Sequence, residues 1–138
     1  VIILLERQIE NWLHDYNSII AFVEGLQSEM DDKATDSMGV VYDKEQLSKT
    51  YKFSSVVENA VISNEKLYEM LEGNKNLLEK LNRALESLNN TERKIVMYRC
   101  VEGKYYYMFT NEVHFSERTC RRIKREAIIK MRKAIFGV

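Results

Sequence analysis

Glu117-Arg118-Thr119-Cys120-Arg121-Arg122-Ile123-Lys124-Arg125-Glu126-Ala127-Ile128-Ile129-Lys130-Met131-Arg132-Lys133-Ala134-Ile135-Phe136 carries two faces at one helical period. At 100° per residue, Cys120, Ile123, Ala127 and Met131 share one side, and Ala134 and Ile135 continue it. Arg118, Arg121, Arg122 and Arg125 stand at i, i+3, i+4 and i+7 on the opposite side. The pattern predicts a helix from Glu117 to about Phe136, with Ser116 placed to cap it. Lys124 flanks the core edge, where its stem can snorkel, and Arg132 extends the basic face.

Working upstream, the turn is His114-Phe115-Ser116, preceded by a short helix around Tyr105–Val113 with Phe109 and Val113 four apart. Before that, Asn89-Asn90-Thr91-Glu92 offers N-cap candidates and a first-turn acid. Ile95, Val96, Tyr98, Cys100 and Val101 then supply a helix of about three turns, halted by Gly103.

The rest of the chain is read as two longer helices. Over residues 4–30, Leu5, Ile9, Trp12, Tyr16, Ile19, Val23, Leu26 and Met30 alternate by four and three, a heptad seam that Leu13 and Ile20 widen. Residues 56–88 repeat the pattern through Val57, Leu67, Leu71, Leu78, Leu81, Leu85 and Leu88, behind a capping box at Ser55–Glu58. Gly73 is a weak point in it, and Asn64 and Asn74 fall on the seam, where they either specify register or lie solvated at its edge. Residues 31–54 are polar and aperiodic, a flexible connection with short extended candidates at 40–42 and 51–53. The expected architecture is all-α: a helical hairpin or coiled coil over residues 1–88, for oligomerisation or docking, then a helix-turn-helix domain over 89–138.

Composition supports this. The chain has no proline, five glycines and a 45% apolar fraction, and no apolar run approaches a membrane span. Its net charge of +0 conceals a division. Residues 1–90 hold 9 basic and 16 acidic side chains, a balance of −7, whereas residues 91–138 hold 12 and 5, a balance of +7. One half is suited to a polyanion and the other is not. A helix with a narrow apolar seam and an arginine stripe fits the major groove of duplex DNA, where guanidinium forks pair with guanine edges or phosphates.

The segment from Leu88 to Arg132 resembles the fourth conserved region of primary-type bacterial sigma factors, which reads a promoter element. Gly103-Lys104-Tyr105-Tyr106-Tyr107-Met108-Phe109-Thr110-Asn111-Glu112-Val113-His114-Phe115-Ser116-Glu117-Arg118-Thr119-Cys120-Arg121-Arg122-Ile123 aligns without a gap. Leu88, Glu92-Arg93 and Ala127-Ile128-Ile129-Lys130-Met131-Arg132 also fit. In length and helical N-terminal half the chain is similar to small phage and prophage sigma-like regulators of the ArpU/RinA type. The resemblance implies a sequence-specific transcriptional regulator acting with host RNA polymerase in the bacterial cytoplasm. It places Glu117, Arg118, Arg121, Arg122 and Arg125 among the DNA-contacting positions, with Lys124 beside them. Arg118 and Arg122 point most directly away from the core and are expected at bases, Arg121 and Arg125 at flanking phosphates. Three positions depart from the pattern. His114 replaces the usual turn glycine, Thr110 a small alanine, and Ile129 on the outward face suits a protein segment better than a phosphate.

Other residue types carry less. Cys100 and Cys120 lack metal-ligand spacing and read as small buried apolar groups, and His14 and His114 make no pair. Trp12 is expected in the core or an interface; Tyr105, Tyr106 and Tyr107 could stack on bases, but one or two of these rings are expected to pack against the first helix of the motif, with an exposed hydroxyl. No acid–base set, phosphate cradle or nucleophile elbow points to an enzyme, and no cofactor is expected. Expected partners are double-stranded DNA, RNA polymerase and a second copy of the chain, with no membrane. Two rival readings are a small terminase-like DNA-packaging subunit and a polymerase-binding interaction module.

Overall fold

A computed structural model describes residues 1–36 and 63–138. Secondary structure among the described residues is entirely helical, with no strand, as the all-α reading expects. The helices are α1 (Ile2–His14), α2 (Tyr16–Asp36), α3 (Asn64–Glu86), α4 (Asn90–Val96), α5 (Thr110–Val113) and α6 (Glu117–Phe136). A π turn at Met97–Val101 prolongs α4, and a 3-10 turn at Tyr106–Met108 precedes α5. No helix among the described residues is long and apolar enough to cross a membrane.

The helix expected over 4–30 is longer and is interrupted once. Asp15, at φ −90° and ψ 2°, leaves the helical region between α1 and α2. Bonds from Asp15 N to Asn11 O (3.1 Å) and from Ile19 N to Asp15 O (2.8 Å) carry the chain across it. Aspartate is a poor interior helix former because its carboxylate competes for nearby backbone groups. Downstream, residues 31–36 join α2 instead of opening the connection, since the stretch 31–38 holds no Gly or Pro and Lys33 and Ala34 favour helix. The capping box at Ser55–Glu58, the helix start near Val56 and the candidates at 40–42 and 51–53 lie outside the described residues.

The chain divides into two compact units, Val1–Ile20 with Asn76–Val138, and Ala21–Lys75. This division does not follow the charge boundary near residue 90, because α1 packs with the basic segment. In the first unit Ile9 and Leu13 of α1, Leu81, Ala84, Leu85 and Leu88, Val96, and Ala127, Ile128 and Met131 of α6 form one core. Trp12 stacks on Phe136 at its edge, with centroids 5.9 Å apart. The Tyr16 hydroxyl donates to Asn82 Oδ1 at 2.5 Å, and burial raises its pKa. A second cluster gathers Ile95, Phe109, Cys120 and Ile123, with Tyr98, Tyr106 and Val113 against it.

In the other unit Val23 and Leu71 are buried, and Lys75 Nζ donates to Gln27 Oε1 at 2.5 Å. The two seam asparagines are not buried register markers. Asn64 is exposed at the first residue of α3, and half-buried Asn74 donates to its own helix, at Met70 O, 2.8 Å away.

Candidate nucleic-acid interface

The basic segment is assembled by local caps. Asn89 and Glu92 form a reciprocal capping box, with Glu92 N donating to Asn89 Oδ1 at 2.8 Å and Asn89 N to Glu92 Oε1 at 3.1 Å. Arg93 reaches back to close α3, its Nε donating to Leu85 O at 3.0 Å and its Nη2 to Leu88 O at 3.2 Å. These side chains satisfy backbone groups that a helix end leaves orphaned. Gly103, at φ 69°, follows the π turn where the helix was expected to halt.

The short helix expected over Tyr105–Val113 is two pieces, the 3-10 turn and α5, separated by Phe109 at φ −124° and ψ 8°. Phe109 is fully buried and holds both pieces on the second cluster. His114 adopts the left-handed conformation, φ 62° and ψ 33°, with its N–H on Thr110 O at 2.9 Å. The chain therefore makes the turn without glycine. Ser116 then caps α6, its Oγ accepting from Thr119 N at 3.2 Å, and α6 spans Glu117–Phe136 as expected.

Along α6 the four arginines of the stripe are all exposed. Arg121 lies 4.0 Å from the half-buried Glu117 and Arg122 3.6 Å from the exposed Glu126, both i,i+4 pairs. Surface pairs of this kind are worth about 0.3–0.5 kcal/mol and exchange readily for another anion. Arg118 and Arg125 make no ion pair among the described residues. Glu117, half-buried in the first turn, favours the helix N-terminus electrostatically.

Lys124, expected at the core edge beside the stripe, and Arg132, expected to extend the basic face, are both engaged by acids of α1. Lys124 is ion-paired with Glu10 of α1. Arg132 is buried, 8% exposed, with Nη1 donating to Glu6 Oε1 at 2.6 Å and Nε without a partner. The inner side of α6 is wider than the seam read from sequence, because α1 packs along it and buries Ile128 as well. Ala134, expected on that seam, is exposed, and Ile129 is half-buried rather than fully outward. Lys130 is occupied too, 2.8 Å from the buried Glu92 carboxylate. The accessible cationic surface of α6 is thereby concentrated on Arg118, Arg121, Arg122 and Arg125, with Lys133 also exposed in the last turn.

Sequence reading missed Glu6 and Glu10, whose i,i+4 spacing places them on one face of α1. It also missed Arg99, whose Cζ lies 5.2 Å from the Tyr106 ring centroid, while Arg121 Cζ lies 5.1 Å from the same centroid. Lys104 Nζ stands 4.7 Å from the Tyr98 ring. Of the three tyrosines, one or two of them expected to pack, Tyr106 packs against the second cluster, whereas Tyr105 and Tyr107 are exposed and stack on each other at 5.9 Å. Cys120 is buried, and burial pushes the half-buried Cys100 thiol up to about 11, so both remain neutral near pH 7.

A family model described as a protein of unknown function (DUF722) matches residues 6–133. No curated protein and no solved structure matches the chain.

Proposed function

We propose that this chain, which belongs to the DUF722 family, is a sequence-specific DNA-binding transcriptional regulator of the sigma-like phage type. The observation that carries the reading is the capped helix α6, set after a left-handed turn, with Arg118, Arg121, Arg122 and Arg125 exposed along one side. The acids contributed by α1 neutralise Lys124 and Arg132 and leave that stripe open. In this reading α5, the turn and α6 act as a helix-turn-helix, and α6 enters the major groove, which is about 12 Å wide.

Arg118 and Arg122 read base edges, where a guanidinium fork matches guanine O6 and N7. Arg121 and Arg125 hold flanking phosphates, and Glu117 can accept from a cytosine amino group. The N-terminal helices, as a hairpin or coiled coil, pair with a second copy or dock on RNA polymerase in the bacterial cytoplasm. The acidic balance of residues 1–90 keeps that part off the DNA.

Footprinting on phage or prophage promoter DNA, with and without RNA polymerase, tests this reading. A discrete protected site supports it, and an enlarged footprint with polymerase supports the docking role. Unprotected DNA at low salt would sink it.

A further inference from the structure

The turn that leads into α5 presents two aromatic rings to solvent. Tyr105 is 61% exposed and Tyr107 63%. The rings lie parallel within 6° and stack on each other, with centroids 5.9 Å apart. Their backbone is held in place. Met108 N donates to Tyr105 O at 3.0 Å and Thr110 Oγ1 to Tyr107 O at 3.3 Å, and Phe109 beyond them is fully buried. Tyr106, between the two, packs against the second cluster.

Each ring of the pair is covered on one face by the other, and exposures above three-fifths leave much of the remaining surface open. Such a surface accepts another flat π system. The charge around it selects which kind. Lys104 directly precedes Tyr105, and the Tyr106 ring holds the Arg99 and Arg121 guanidinium carbons 5.2 Å and 5.1 Å from its centroid. The wider segment, residues 91–138, has a balance of +7. An apolar protein surface gains nothing from those cations, whereas a nucleobase arrives with a phosphate on either side.

We infer that Tyr105 and Tyr107 form a ledge on which an unpaired base of the bound DNA stacks. The inference rests on the DNA-binding reading and deepens it, adding a contact outside α6. The base must be unpaired, because a base within a duplex has both faces covered by its neighbours. It lies on the outside of the pair. Entry between the rings would need about 6.8 Å, twice the ~3.4 Å spacing of stacked bases, and the centroids are 5.9 Å apart. Stacking tolerates any base, since every base has a π face, so the ledge marks where strands separate and not which sequence is present.

The test compares two fluorescein-labelled duplexes of one random sequence, one fully paired and one with a central mismatched bubble. The parent chain is expected to bind the bubble about tenfold more tightly, the gain that one stacked base supplies. Tyr105→Ala/Tyr107→Ala should lower bubble affinity to that of the paired duplex. Its affinity for the paired duplex should stay at the parent value, which also shows that the fold is intact. Tyr105→Phe/Tyr107→Phe, which keeps both rings, should retain the preference. A fluorescent base analogue in the bubble should be quenched by the parent and the phenylalanine chain but not by the alanine chain. Equal parent affinity for the two duplexes overturns the inference and leaves the functional reading standing. A phenylalanine chain as impaired as the alanine chain also overturns it, making the hydroxyls backbone contacts. So does an alanine chain that keeps the bubble preference but loses binding to purified RNA polymerase, which would give the rings to a protein partner. Should the parent bind neither duplex at low salt, the functional reading falls and takes this contact with it.

Discussion

Glu10 of α1 and Lys124 of α6, 114 residues apart, are ion-paired, so an acid from the N-terminal helix decides what a lysine of the arginine-rich helix can do. Burial opposes the Lys124 charge, but the Glu10 hydrogen bond and neighbouring charges outweigh it and raise the pKa above 10.5. A raised lysine pKa means that the folded state holds the proton more tightly than the unfolded chain. The stability it contributes is present below 10.5 and is lost as pH rises through the folded value. Thermal melts should therefore show an alkaline decline that Glu10→Gln removes. Glu10 is substantially exposed, so at neutral pH that substitution should cost only about 1 kcal/mol. An alkaline limb unchanged in Glu10→Gln would refute the coupling.

Arg132 and Glu6 form the more buried pair, and Arg132 already has one unpartnered nitrogen. Glu6→Ala strands a guanidinium in the core edge and should cost about 2–4 kcal/mol in urea unfolding. Glu6→Leu with Arg132→Met together should recover most of that loss, because a buried ion pair and an apolar pair of similar volume are close in energy. A double variant no more stable than Glu6→Ala would contradict this.

His114 holds a backbone conformation that an L side chain enters at a cost, at φ 62°. His114→Gly relieves it and should stabilise the fold by up to about 1 kcal/mol, whereas His114→Val should destabilise it. Denaturant midpoints rank the three chains. Equal midpoints for Gly and Val would mean that the turn relaxes to another geometry.

On DNA, about five neutralised phosphates imply a log–log salt slope of roughly −4 to −5. Arg122→Ala should lower discrimination between target and random duplex by about 1–3 kcal/mol, whereas Arg125→Ala should weaken both equally. Competition anisotropy separates the two cases. Uniform loss from Arg122→Ala would move that residue to the phosphates.

The all-α class, the α6 boundaries, the Ser116 cap and the Gly103 stop were all legible in the chain itself. Each rests on local physics: helical periodicity, orphan amides at a helix start, and the freedom of glycine at positive φ. The openness of Arg118, Arg121, Arg122 and Arg125 was legible too, since a seam of Cys120, Ile123, Ala127 and Met131 turns them outward. The fate of Lys124 and Arg132 was not. Helical periodicity places a side chain around its own axis but says nothing about which second helix lies alongside. Only the packing of α1 against α6 brought Glu6 and Glu10 within reach of those cations, and only the meeting of three elements set Arg99 and Arg121 over Tyr106.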